Sequence, residues 1–377
     1  MHTQGVSIDI ESLHTRAKRS LGAKAPGPMK TMAAKGAIPG VSPADCLSVV
    51  VILAARQELE EKEIAEIARQ TLREPPLPFL EGALGGTLQR DVVAALADYT
   101  KLDGSLLPKL LAQETIDEEI VCVLAAKADE AGGEIIGTNE SLLLRFPAAI
   151  EKLYMNKRVR MSTADRLIEL AVRNEIELDF PAFKLAAKAI MSQLIPEPTD
   201  EPTFDDLHFQ QTDEVAEKAN LDSEEEDVCE KDDDGKETIT KKAGPVFVQV
   251  QNASVTELIR FAMVGNATMR LLLVRHTNRL VSEAAAKSPR MTENEAGQIA
   301  ASRAVSDTVL RIIANNREMV RSYKVKLNLV TNPLTPFTYV SRLMPHLRQV
   351  DLKLLARSKN VPGQVQKSAK NILSRRK

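Results

Sequence analysis

Apolar residues recur at spacings of three and four from Pro43 to Ile195 and again from about Pro245 to Leu373, the period of helices that bury one face. The first stretch is punctuated at Pro75-Pro76, Gly85-Gly86, Asp103-Gly104, Gly132-Gly133 and Arg160-Met161, which delimits helices of about ten to sixteen residues. The second is punctuated at Gly265-Asn266, Thr277-Asn278, Asn315-Asn316 and Met344-Pro345, and it opens on a short apolar run, Pro245 to Val250, that reads as an extended segment. Between them, Pro196 to Thr240 has almost no apolar spacing and carries Ser223-Glu-Glu-Glu-Asp and Lys231-Asp-Asp-Asp-Gly. That is the composition of a disordered acidic linker. The first 42 residues mix Gly, Pro, Ala, Ser and Lys without a sustained period, as a flexible arm does.

Internal repetition sharpens this pattern. An offset of 44 lays Pro289 on Pro333, Ala296 on Val340 and Ile299 on Leu343, and an offset of 56 lays Ala300-x-Ser-Arg-x-Val305 on Ala356-x-Ser-Lys-x-Val361. A helix grammar also recurs: Thr87, Thr115, Ser162 and Thr335 are each followed by apolar residues at plus five and plus eight. A hydroxyl at the N-cap accepts from an orphan amide while residues one turn apart bury a stripe, and Ser162 with Asp165 resembles a capping box. The expected architecture is all-α, an α-solenoid of short helical hairpins in two blocks. It comprises an arm over 1–42, a helical domain over 43–195, an acidic disordered linker over 196–244 and a basic repeat domain over 245–377.

The units Lys287-Ser-Pro-Arg-Met-Thr and Thr331-Asn-Pro-Leu-Thr-Pro, each before a short helix, resemble the helix starts of leucine-rich-repeat-variant proteins and, more loosely, HEAT and armadillo repeats. The resemblance implies a curved HEAT-like α-solenoid that acts as an adaptor or scaffold. The cysteines of the iron-sulfur member type of that family have no counterpart here. The stretches around Arg160-Met-Ser-Thr-Ala-Asp-Arg and Val361-Pro are also similar to uncharacterised bacterial proteins, which carries no function with it.

Composition agrees with helices. The 377 residues suffice for two or three domains, and a chain 44% hydrophobic but 3% aromatic, with no Trp, builds its core from Ala, Leu, Ile and Val, which excludes a large β-sandwich or barrel. Cys46, Cys122 and Cys229 are too far apart to form a disulfide framework or a metal pattern, and read as reduced thiols. Neither Val49–Ala55 nor Ile120–Ala126 is long enough to span a membrane, and a cytoplasmic location is expected.

Catalytic chemistry is hard to assemble from these residues. The five histidines are scattered, and Gly82-Ala-Leu-Gly-Gly-Thr87 lacks the Gly-Lys-Ser/Thr ending of a phosphate loop and reads as a turn capped by Thr87. Asp117, Glu118 and Glu119 suit a helix first turn, where acids meet the positive end of the dipole. No enzyme activity, cofactor or metal is expected. Charge is the stronger signal. The overall net charge of -2 conceals -15 over 197–240 and +15 over 243–377, where 14 of 22 cations are Arg. Arg275, Arg279, Arg303, Arg317, Arg321, Arg348, Arg357 and Lys359 lie near helix ends and are the candidate partner-binding residues. The expected function is a scaffold or adaptor for partner proteins. The alternative is a nucleic-acid-binding accessory protein, with the acidic linker as an electrostatic mask over the basic face.

Overall fold

Helix starts fall where a short polar side chain can accept an orphan amide. Ser42, Asp117, Asp129, Asn139, Ser254, Asn266 and Thr292 all do so as N-caps. The computed structural model describes residues 7–22, 25–56, 62–100, 104–191, 201–219, 228–231, 237–358 and 360–376, and among these it has 24 helices and one two-stranded sheet. They divide into two compact units, 1–163 and 164–377.

The first unit holds α1 (Thr15–Leu21), α2 (Gly27–Ala34), α3 (Pro43–Ala55), α4 (Lys62–Arg73), α5 (Leu77–Leu84), α6 (Arg90–Tyr99), α7 (Leu107–Leu111), α8 (Glu118–Lys127), α9 (Glu130–Gly137), α10 (Glu140–Arg145) and α11 (Ala148–Tyr154). It ends inside α12 (Met161–Arg173). The apolar run of α3 buries Leu47, Val49, Val50 and Leu53 completely against α1, α2, α4 and α5. Beyond it, packing skips along the chain: α6 lies on α4, α8 on α6 and α11 on α8.

A ladder of side chains ties these layers. Thr100 Oγ1 donates to the Leu72 carbonyl (2.6 Å), Gln113 Nε2 to Leu84 (3.1 Å), Lys127 Nζ to Asp98 (2.9 Å) and Asn156 Nδ2 to Ala125 (3.0 Å). Each carbonyl belongs to the last turn of a helix, where no intrahelical donor remains, and each donor comes from 28 to 31 residues later.

The second unit continues α12 and adds α13 (Phe183–Ile190), α14 (Phe204–Lys218), β1 (Cys229–Lys231) and β2 (Glu237–Ile239). Then come α15 (Gly244–Asn252), α16 (Val255–Val264), α17 (Ala267–Leu273), α18 (Arg279–Ala286), α19 (Glu293–Ala301), α20 (Asp307–Asn315), α21 (Tyr323–Thr331), α22 (Phe337–Leu343), α23 (Gln349–Arg357) and α24 (Gly363–Arg375). From Thr256 to Val264 every residue of α16 is buried, among α13, α17 and α18. Alternate helices again stack: α18 on α16, α20 on α18, α19 on α17, α21 on α19 and α24 on α22. Arg290 donates to Val264 (2.7 Å), Asn332 to Ala300 (2.8 Å) and Arg376 to Leu347 (2.8 Å), again across 26 to 32 residues.

Several expectations from the sequence are corrected. Two helices, α1 and α2, form where the composition predicts a flexible arm. Small residues make this work, since Ala17, Ala33 and Ala34 are wholly buried, and Arg56 bonds the Leu21 carbonyl at the end of α1 (2.7 Å). Within the stretch read as a disordered linker, Thr203 and Asp206 form a capping box for α14, which buries His208, Phe209, Thr212 and Ala216. Pro245 lies in the first turn of α15 rather than in an extended segment, because Pro there forfeits no helical bond. Gly132-Gly133 lies inside α9, and a side chain at Gly133 would strike Val159 at 2.8 Å, so these glycines permit close packing instead of ending the helix.

The hydroxyl caps at Thr87, Thr115, Ser162 and Thr335 do not form. Helices α6, α8 and α22 begin after Gln89, Asp117 and Pro336, and Ser162 lies within α12. Thr115 instead donates its hydroxyl to the Leu88 carbonyl (2.9 Å). The side-chain links of the second unit join residues 26 to 32 positions apart, a different quantity from the offsets of 44 and 56 drawn from the sequence.

Candidate functional site

Two kinds of charged cluster stand out in the second unit, one sealed and one open. The sealed one begins with α14 and α16. His208 Nδ1 lies 3.1 Å from Glu257 Oε1, and the Thr256 hydroxyl donates to Asp165 (3.3 Å). The wholly buried Arg260 places its guanidinium 4.7 Å from the Phe209 ring centre, and that ring stacks on Phe261. Burial pushes the Asp165 carboxyl up to about 7 against the opposing pull of Arg260 and Thr256. Burial likewise raises Glu257, despite its bonds from the Ser254 amide and His208. Further along, Arg270 grips Glu295 through two nitrogens (2.6 and 3.3 Å) and donates to the Gly265 carbonyl. Glu295 and Glu257 are each also the third-position acid of a capping box. One carboxylate thus caps its own helix and pairs with a neighbour. The side chains of His208, Glu257, Arg270 and Glu295 are 1 to 8% exposed and hold helices together.

Glu237, on β2, belongs to the acidic stretch yet reaches into the basic block. It accepts from Arg275 Nε (3.2 Å), the Ser302 hydroxyl (2.7 Å) and the Arg303 amide (3.1 Å). Burial raises this carboxyl, but the Ser302, Arg275 and Arg303 donors outweigh it and hold the group below the usual carboxylate range. The result is a built carboxylate seat, occupied by the chain's own acid.

The open cluster is a groove of about 400 Å³ at the ends of α20 and α22. Arg317, Arg321, Lys326, Arg342 and His346 line it over an apolar floor of Val320 and Leu343, and no acidic residue lines it. Arg342 is fixed by a bond to the Ala314 carbonyl and by the Tyr339 ring 5.4 Å away. Lys326 Nζ rests 3.3 Å from the Arg321 carbonyl. A second groove, of about 410 Å³, runs beside α21 and α23 and includes Arg303, Asn328, Asn332 and Leu354.

The sequence candidates therefore part ways. Arg317 and Arg321 share the open groove, and Arg303 edges the second one. Arg275 is spent on Glu237, while Arg279, exposed on α18, bonds Glu283 one turn on (2.5 Å). Arg348 stacks on Tyr323 at 4.6 Å, and Arg357 is exposed at the end of α23. Lys359 lies outside the described residues. Sequence reasoning missed Lys326, Arg342, His346 and the Glu237 seat. The paired spacings Arg317/Arg321 and Arg342/His346, each four apart, were the available signal for the groove. Nothing local marks Glu237 among eighteen acids.

Burial raises the Cys46 and Cys122 thiols, the direction opposite to an activated nucleophile. Among the described residues no three His, Cys, Asp or Glu side chains gather as metal ligands, and no helix is long and apolar enough to cross a membrane. No protein-family model and no curated protein sequence matches the chain, so its reading rests on its own residues.

Proposed function

We propose that this chain is a non-enzymatic helical-repeat scaffold that binds acidic segments of partner proteins on the surface of 245–377. Alternate-helix stacking, with side-chain links that each join residues 26 to 32 positions apart, is what successive helical hairpins of an α-solenoid would produce. The observation that carries the reading is the Glu237 seat: a guanidinium, a hydroxyl and an amide of 245–377 converge on one carboxylate from the acidic stretch, so this block already takes up an acid from elsewhere in the chain. The test is fluorescence anisotropy of a labelled Glu-rich peptide on the full chain and on E237A. Vacating the seat should tighten peptide binding about tenfold, because the internal competitor is gone. Equal affinities would sink the reading.

A nucleic-acid-binding accessory role is the second reading, favoured by the +15 charge of 243–377. It requires that an oligonucleotide of matched charge outcompete the peptide and lose affinity steeply with salt.

A further inference from the structure

We infer that the groove lined by Arg317, Arg321, Lys326, Arg342 and His346 is a receptor for a phosphate monoester on a partner polypeptide. This inference rests on the scaffold reading and names what one of its surfaces takes. Four basic side chains and an imidazole face one small volume, and Glu318, beside Arg317 in sequence, does not line it. Like charges so gathered repel one another unless an anion joins them.

Two of the cations are held in place. A carbonyl and a ring fix Arg342, a carbonyl steadies Lys326, and Arg317 and Arg321 have no acidic partner among the described residues.

The charge count selects the ligand. At the Glu237 seat, one guanidinium with two neutral donors matches a single carboxylate charge. A groove with four full cations and no acid calls for more, and a phosphate monoester supplies about two charges and three acceptor oxygens. Arg is suited to that group because its fork bonds two oxygens at once. A nucleic-acid strand fits less well. Apart from the imidazole of His346 the lining offers no ring on which bases could stack, and about 400 Å³ holds one phosphorylated residue rather than a run of backbone. The apolar floor of Val320 and Leu343 suits the methylene or methyl beside a phosphoserine or phosphothreonine.

The test uses the full chain and a fluorescein-labelled nonapeptide with one central phosphoserine, beside its Ser and Glu counterparts and a single-stranded oligothymidine. The phosphopeptide should bind about tenfold or more tighter than either counterpart. R317E/R321E should abolish that preference, whereas K367E/K370E, an equal charge change at exposed sites on α24, should keep it. Circular dichroism of each variant separates lost binding from lost folding. Equal affinity for the phosphorylated and Ser peptides, an unaffected R317E/R321E variant, or binding of the oligothymidine alone would each overturn the inference. If the phosphopeptide fails while E237A still tightens the Glu-rich peptide, the groove is wrong and the scaffold reading stands. If both fail, the scaffold reading falls too.

Discussion

The two units use ion pairs between distant stretches of the chain in different environments. In the first unit, Arg90 bonds Asp117 and Glu119, Lys109 faces Glu81, and Lys127 bonds Asp98, all 27 to 29 residues apart. Every one of these side chains is between 37 and 78% exposed. In the second unit, Arg270 bonds Glu295 and Arg275 bonds Glu237 with no side chain more than 9% exposed. Exposed pairs gain little over their hydrated separate charges, whereas a buried pair must remain complete, since either member alone is an unsolvated charge. The first unit thus stacks on its apolar stripes with charge as trim, while the second is committed to specific partners.

Substitutions that halve a pair should separate the two regimes. The largest effect is expected for E295A, which strands Arg270 and removes the capping box of α19, costing about 3–5 kcal/mol in guanidinium unfolding. A loss below about 1 kcal/mol would erase the contrast between the units. E237Q should cost about 1.5–3 kcal/mol at pH 7, since it weakens three bonds to a charged acceptor. The folded value of Glu237 is depressed, so its contribution is present above the ordinary carboxylate range and is lost as pH falls through the folded value. The gap between wild type and E237Q should therefore close in acid thermal melts.

Asp165 has the opposite sign. Its folded value, about 7, exceeds its ordinary 3.8, so between these limits the unfolded chain has released a proton that the folded chain retains, and stability falls as pH rises. D165N should gain on wild type from about pH 4 to about pH 7 and then hold level. Linkage sets that gain by the shift itself, at most about 4 kcal/mol, with the opposing pull of Arg260 already contained in the folded value. A pH-independent difference would mean that Asp165 does not titrate there. The smallest effect is expected in the first unit: R90A should cost below about 1 kcal/mol, and molar salt should remove the difference.

Much of the helix pattern was legible. The breaks at Gly265-Asn266, Thr277-Asn278 and Asn315-Asn316 coincide with observed helix ends, because Asn caps act within one turn and leave a local mark. The Thr87 and Thr115 caps failed because a hydroxyl two residues early has the same pattern: Asp117 caps α8 instead, and α6 starts after Gln89 with no side-chain cap. Helix α14 escaped notice because its many acids mask a short buried face of His208, Phe209, Thr212 and Ala216. The candidate site was half legible. Arg density pointed to the block that holds both grooves, but whether an Arg there is paired depends on an acid far away in the chain, as Arg275 and Glu237 show at a separation of 38 residues.

The sequence by itself determined the helical class, several helix ends and the segregation of charge into an acidic stretch and a basic block, because periodicity, capping and net charge are local sums over neighbouring residues. Only the tertiary structure decided which carboxylate seats on which guanidinium, where the 26-to-32-residue ladder runs and which cations remain to line a groove. Those outcomes turn on distance and burial, and a side chain's environment is set by residues that the chain brings back from tens of positions away.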